Sequence, residues 1–179
     1  MTQTIRYGGG GSSLGPFLAA VSGRGLAFLA FDADRATLAA RFPGAELVED
    51  ADGLREAIAE LGSLIDGSGG TCRLPLDLQG SDFERRVWQA LRDVPAGTTA
   101  TYGEIAARLG VPRQAREVGE ACAANTLAVV VPCHRIVKKD GSISGYRWGV
   151  RRKRELLARE HSARLLRPVA AVPHGTAAF

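Results

Sequence analysis

Two rhythms of hydrophobic and polar positions run along this chain, and the place where one yields to the other divides it. Apolar runs at Phe17–Ser22 and at 26–31 flank Ser22-Gly23-Arg24-Gly25, which predicts two short strands joined as a hairpin. Segments 36–42 and 52–65 read instead as helices, because Leu54, Ile58, Leu61 and Ile65 recur at helical spacing. Gly67 to Gly70 ends the second helix, and 74–78 reads as an extended connector. The glycine-rich stretch 8–15 reads as a flexible lead-in or turn.

From residue 81 the helical rhythm dominates. Ser81-Asp82-Phe83-Glu84 is a capping box, in which the serine and the glutamate satisfy each other's backbone amides. Phe83, Val87, Trp88 and Leu91 form the stripe that this helix should bury. Pro95-Ala96-Gly97 is a turn, and Thr101-Tyr102-Gly103-Glu104 is a second capping box, opening a short helix that stops at Gly110. Pro112 suits the first turn of a third helix reaching about Ala124. Two short helices joined by 110–112 predict a helix-turn-helix. Residues 128–131 are apolar and β-branched at three positions, which predicts a short buried strand ended by Pro132. Residues 138–141 form a turn, and 151–166 a last helix with Leu156 and Leu157 on a different face from its Arg/Lys cluster. The remaining stretch has no periodicity. The expected organisation is thus 1–79, 80–166 and a disordered tail at 167–179.

Composition adds little, but charge adds much. Hydrophobic content of 45% and charged content of 23% in 179 residues are those of an ordinary globular protein. No run reaches membrane-spanning length and no secretory leader is evident, so no membrane association is expected. Cys72, Cys122 and Cys133 are odd in number and lack a CxxC pair, which argues for a reducing cytoplasmic setting. Up to Gln79 there are six Lys/Arg against ten Asp/Glu; beyond it, seventeen against nine. A basic second half beside an acidic first half points to a polyanion partner.

The candidate chemistry lies at Pro132-Cys133-His134-Arg135-Ile136-Val137. A thiol at the exit of a buried segment is held firmly, yet burial alone raises its pKa and makes it inert. His134 is the candidate partner, provided another group holds the imidazole. A cysteine after an apolar run is more often a small core residue; what changes the reading is the whole string. These six residues, extended through Gly141 and Gly145-Tyr146-Arg147-Trp148-Gly149, resemble the active-site signature of the O6-alkylguanine-DNA alkyltransferases.

The resemblance implies an α/β (α+β) fold: an RNase H-like N-terminal domain and a winged helix-turn-helix C-terminal domain. It implies irreversible transfer of an alkyl group from O6 of guanine in double-stranded DNA to Cys133, with O4-alkylthymine left open. His134 would take the thiol proton through a bound water, and Glu160 would end the relay. Asn125 would tie the active-site segment to the helix pair; read alone, it is a helix C-cap. Tyr102 and Arg116 match the residues that rotate the nucleotide out and fill its place. The Ile136 carbonyl would accept from the guanine amino group, and Tyr146 would wall the pocket. Trp148, where many members have glycine, would narrow it; the alternative is a packing residue against the last helix. Glu117 departs from the family's alanine, and pairs Arg113–Glu117 and Arg116–Glu120 have the spacing to neutralise the two carboxylates of that helix. No metal site is expected, since no histidine precedes His134; no cofactor is implied, and a monomer is expected. The competing readings are a non-catalytic helix-turn-helix regulator or damage-sensing clamp, which would not need Cys133, and a cysteine hydrolase, which the basic helix pair does not support.

Overall fold

A computed structural model describes residues 2–67 and 69–166. The first half is a four-stranded sheet of order β3-β2-β1-β4. β1 (Thr4–Gly10) and β2 (Phe17–Ser22) are antiparallel, with Gly10 opposite Phe17. β2 and β3 (Gly25–Phe31) form the expected hairpin, with a bulge at Ala20/Val21. β4 (Glu46–Glu49) runs parallel to β1. Helices α1 (Arg35–Arg41) and α2 (Arg55–Asp66) lie close to the two helical segments expected.

Two features depart from the pattern. The glycine-rich stretch is not a lead-in: Gly8 to Gly10 complete β1. Their bareness serves packing, since a Cβ on Gly8 would stand 2.7 Å from Ile58 of α2, and one on Gly10 would run into the Phe17 ring. Sheet and helix approach across these positions as only glycine permits. β4 escaped notice because its four residues begin and end with glutamate and carry little apolar signal.

The second half is helical. α3 (Asp82–Arg92) and α4 (Tyr102–Arg108) both begin at complete capping boxes. Ser81 Oγ accepts from Glu84 N at 3.2 Å while Glu84 accepts from Ser81 N at 2.7 Å. On α3, Val87, Trp88 and Leu91 are buried, but Phe83 is only half-buried. α5 (Ala115–Ala123) starts three residues later than proline placement suggests, because Pro112 and Arg113 sit in the turn between the helices and Gln114 is the N-cap. A 3-10 turn (Cys133–Arg135), β6 (Ile136–Val137) and α6 (Val150–Leu166) follow, and β6 pairs in parallel with β5 (Ala100–Thr101), which stands just before α4. The tail expected at 167–179 lies outside the described residues.

The expected strand at 128–131 is a tight turn. Val131 N donates to Leu127 O at 3.0 Å and Val130 N to Ala128 O at 2.7 Å, and Val129 takes φ of 66°. That is the left-handed region, costing a β-branched residue about 1–2 kcal/mol. All four residues are buried, so their apolar character was legible, while strand and turn bury such a run equally well.

The halves meet along β3. Leu127 and Leu76 each bridge to it, and Leu29 N donates to Thr126 O at 2.8 Å. From α6, Arg152 pairs with Asp32 at 2.7 Å, donates to Leu14 O at 2.8 Å and stacks 4.6 Å from the Phe31 ring centroid. Buried residues of both halves merge into one hydrophobic cluster. Among the described residues no helix is long and apolar enough to cross a membrane.

Candidate active site

Cys133 opens the 3-10 turn and is 6% exposed. Its sulfur accepts from Asn125 Nδ2 at 3.3 Å, and the same amide reaches Val131 O at 3.0 Å while its Oδ1 accepts from Leu127 N at 2.8 Å. Asn125 is therefore not the C-cap of α5, a place held by Ala124, but a buried clip that fixes the 126–132 turn and the thiol together. Burial pushes the Cys133 thiol up; the Asn125 hydrogen bond and the charges of Lys153 and Arg147 pull it back only in part. The resting sulfur is a thiol.

Beside it, His134 is fully buried and its Nε2 lies 2.8 Å from Glu160 Oε1. Arg135 grips the same carboxylate from the other side, Nε to Oε2 at 3.0 Å and Nη2 to Oε1 at 2.9 Å, and donates to Val94 O at 2.7 Å. Burial works to raise the Glu160 carboxyl, but the hydrogen bonds and charges of His134 and Arg135 prevail and hold it at about 2. Glu160 is thus ionised and acceptor-only, so His134 Nε2 carries the hydrogen. Burial lowers the imidazole pKa more than Glu160 raises it, leaving the ring neutral near pH 7. Its free lone pair is then on Nδ1, which is buried without a protein partner. Arg135 carried no assigned role in the sequence reading, although it stands inside the signature string.

Cys133 also lines a cavity of about 320 Å³, together with Tyr102, Gly119, Cys122, Tyr146 and Arg147, among others. Tyr102 Oη lies 2.7 Å from Ser144 Oγ, which accepts from Lys153 Nζ at 2.9 Å. Lys153 also donates to Ile136 O at 2.5 Å, so the carbonyl expected to meet a guanine amino group already has a donor. Lys153 corrects the reading of α6: it is fully buried on the same face as Leu156 and Glu160, not segregated from the apolar stripe. Burial lowers its pKa. The signal was the 153-156-160 spacing, masked by the three cations around Lys153, Arg151, Arg152 and Arg154.

Tyr146 lines the cavity as expected, its hydroxyl buried without a protein partner and its ring edge-on to His134 at 6.4 Å. Trp148 does not. It is buried behind Tyr146, ring centroids 5.3 Å apart, and is absent from the cavity lining; an indole this size is placed by packing. Arg116 projects from the exposed face of α5 and pairs with Glu120 at 3.1 Å. Among the described residues no ion pair joins Arg113 to Glu117, since Arg113 precedes the helix that the pairing required. No group of three or more His, Cys, Asp or Glu is placed to hold a metal among these residues.

Fold and site define a class: a mixed α/β chain with a buried Cys-His-Glu constellation beside a pair of short helices. Residues 82–162 match the family model for the 6-O-methylguanine DNA methyltransferase DNA-binding domain. The chain is 40% identical over 123 residues to the inducible methylated-DNA–protein-cysteine methyltransferase of Bacillus subtilis, covering 69% of each. It superposes on Mycobacterium tuberculosis OGT in complex with DNA with a TM-score of 0.75 at 36% identity, covering 89% of this chain and 93% of that one. The chain belongs to the 6-O-methylguanine DNA methyltransferase family. It is also 41% identical over 160 residues to the bifunctional transcriptional activator and DNA repair enzyme Ada of Escherichia coli; this is 87% of the chain but only 45% of Ada, about half its length.

Proposed function

We propose that this protein repairs DNA by direct reversal, moving the alkyl group from O6 of guanine in duplex DNA to Cys133, once per molecule. The observation that carries the reading is the free Nδ1 lone pair of a neutral His134 whose other nitrogen is held by Glu160. A water between Nδ1 and Sγ would pass the thiol proton to the imidazole, and Glu160 would stabilise the imidazolium that results. The thiolate then attacks the alkyl carbon. The S–C bond forms as the C–O6 bond breaks, and the electron pair leaves on guanine. Tyr102, hydrogen-bonded through Ser144 toward Lys153, stands at the cavity to donate to that developing charge. The thioether is stable, so nothing regenerates the acceptor.

The target atom lies within a base stack, so the nucleotide must be extruded into the cavity. Arg116, exposed on α5, would leave Glu120 to fill the vacancy, and the excess of cations after Gln79 suits a phosphate backbone. The Ile136 carbonyl has two lone pairs, so contact with the guanine amino group would be shared with Lys153. We read residues 1–79 as an RNase H-like scaffold and 80–166 as a winged helix-turn-helix domain, acting as a monomer in the cytoplasm. A non-catalytic DNA-binding clamp is the competing reading, and it gives no reason for a histidine base beside the thiol. Incubation with a duplex containing O6-methylguanine, followed by peptide mass spectrometry, should place one methyl on Cys133 and none on Cys72 or Cys122. Multiple turnover, or full activity in Cys133→Ala, would reject the proposal.

A further inference from the structure

We infer that Arg147 is a positioning residue of the thiol site: its guanidinium fastens one wall of the cavity to the end of α5 and thereby fixes the Cys133 sulfur. The inference rests on the proposed function for its meaning, but its geometry is independent. Arg147 Nη1 donates to Ala123 O at 3.0 Å and to Asn125 O at 3.4 Å. Ala123 is the last residue of α5, where carbonyls lack partners within the helix and a cation is favoured. Asn125 is the residue whose side chain reaches the sulfur at 3.3 Å. One guanidinium therefore joins the Gly145–Arg147 wall to the facing wall of Gly119, Cys122 and Ala123, and does so at the residue that clips the thiol.

Several features make the contact one for arginine. One terminal nitrogen, Nη1, addresses both carbonyls, and the guanidinium lies 5.9 Å from the Trp148 ring centroid, so the indole supports it from behind. The charge also favours the thiolate of Cys133. Solvent screens that charge in the free protein, because Arg147 is exposed at the cavity; a duplex covering it would remove the screening water.

The test uses the full chain carrying Arg147→Ala or Arg147→Lys, with folding followed by thermal melting. Iodoacetamide labelling of Cys133 across pH, read by peptide mass spectrometry, needs no DNA. For Arg147→Ala the labelling midpoint should rise, because the Asn125 clip on the sulfur loosens and a screened charge is lost, slowing reaction near neutral pH by roughly threefold. Methyl transfer from an O6-methylguanine duplex at saturation should slow by about tenfold or more, with duplex Kd changed by less than about twofold. Arg147→Lys should restore the labelling midpoint, since it keeps the charge, yet leave transfer slow, since an ammonium lacks the plane that rests on Trp148 and aims Nη1 at the two carbonyls. Should Arg147→Ala fail to fold, Arg147→Lys decides alone, and parent-like transfer in it would overturn the proposal. An unchanged labelling profile with a loss confined to duplex affinity would make Arg147 a phosphate contact instead, and no change in either would make it a solvated surface charge. A parent that labels normally but accepts no methyl from the duplex would fail the proposed function, while the labelling data would still judge Arg147.

Discussion

Glu160 shows how much one side chain can organise. It sets the tautomer of His134, neutralises Arg135 and accepts from Gly97 N at 3.4 Å, all while 3% exposed. Glu160→Gln should slow methyl transfer by about a hundredfold in single-turnover kinetics, because the imidazolium loses its counter-charge, while duplex affinity barely moves. The same substitution should lower stability by about 3 kcal/mol near neutral pH, since it leaves Arg135 charged and buried without its partner. The Glu160 carboxyl sits at about 2, below its ordinary 4.5, so its contribution is complete above about pH 4.5 and is lost as pH falls toward 2. Urea melts across that range should show parent and variant converging in acid; a constant gap would refute the assignment. Glu117 offers a second residue-scale test. It faces no cation from Arg113, so Glu117→Ala should tighten duplex binding, most at low salt where phosphate repulsion is least screened. Fluorescence anisotropy at two salt concentrations measures it.

Among the elements, those with local chemical signals could be read from the sequence. The hairpin had its turn residues, and both capping boxes form as written because serine or threonine followed by glutamate satisfies amides within one turn. The 126–132 turn had no such signal. What bends it is Asn125, a residue before it in the chain, together with a Val129 forced to positive φ by the packing of everything around it. The relay shows the same division. Cys133 and His134 stand in the signature string and Glu160 was matched on the last helix by resemblance, whereas Lys153 and Ser144 depend on how α6 lies against the loop and could not be read locally. Of the two readings open for Trp148, packing fits its burial against Tyr146, and the sequence left them open because proximity to Tyr146 says nothing about which side of the ring the indole takes. Trp148→Gly should therefore cost about 3 kcal/mol in denaturant melts, and it should lower, not raise, the rate of Cys133 modification by O6-benzylguanine. Asn125→Ala, which frees the Leu127 amide and the Val131 carbonyl inside the core, should cost about 2 kcal/mol by the same measurement.

At the scale of the whole molecule, Arg152 adds to the β3 bridges and the shared core that join the acidic first half to the basic second half, reaching Asp32, Leu14 and Phe31 from the same helix that carries Lys153 and Glu160. Arg152→Ala should loosen that helix from the sheet, and hydrogen exchange should rise in α6 and β3 before it rises in β1. On the proposed function, a molecule reacts once and is finished, so its working life is set by how long its sulfur survives unreacted. Cys133 is buried, protonated at rest and lines a cavity of about 320 Å³. Circulating peroxides and stray electrophiles meet a thiol, not a thiolate, and meet it slowly. Burial here acts as storage: the protein is a reagent kept in a sealed vial, opened by the one substrate that fits its neck.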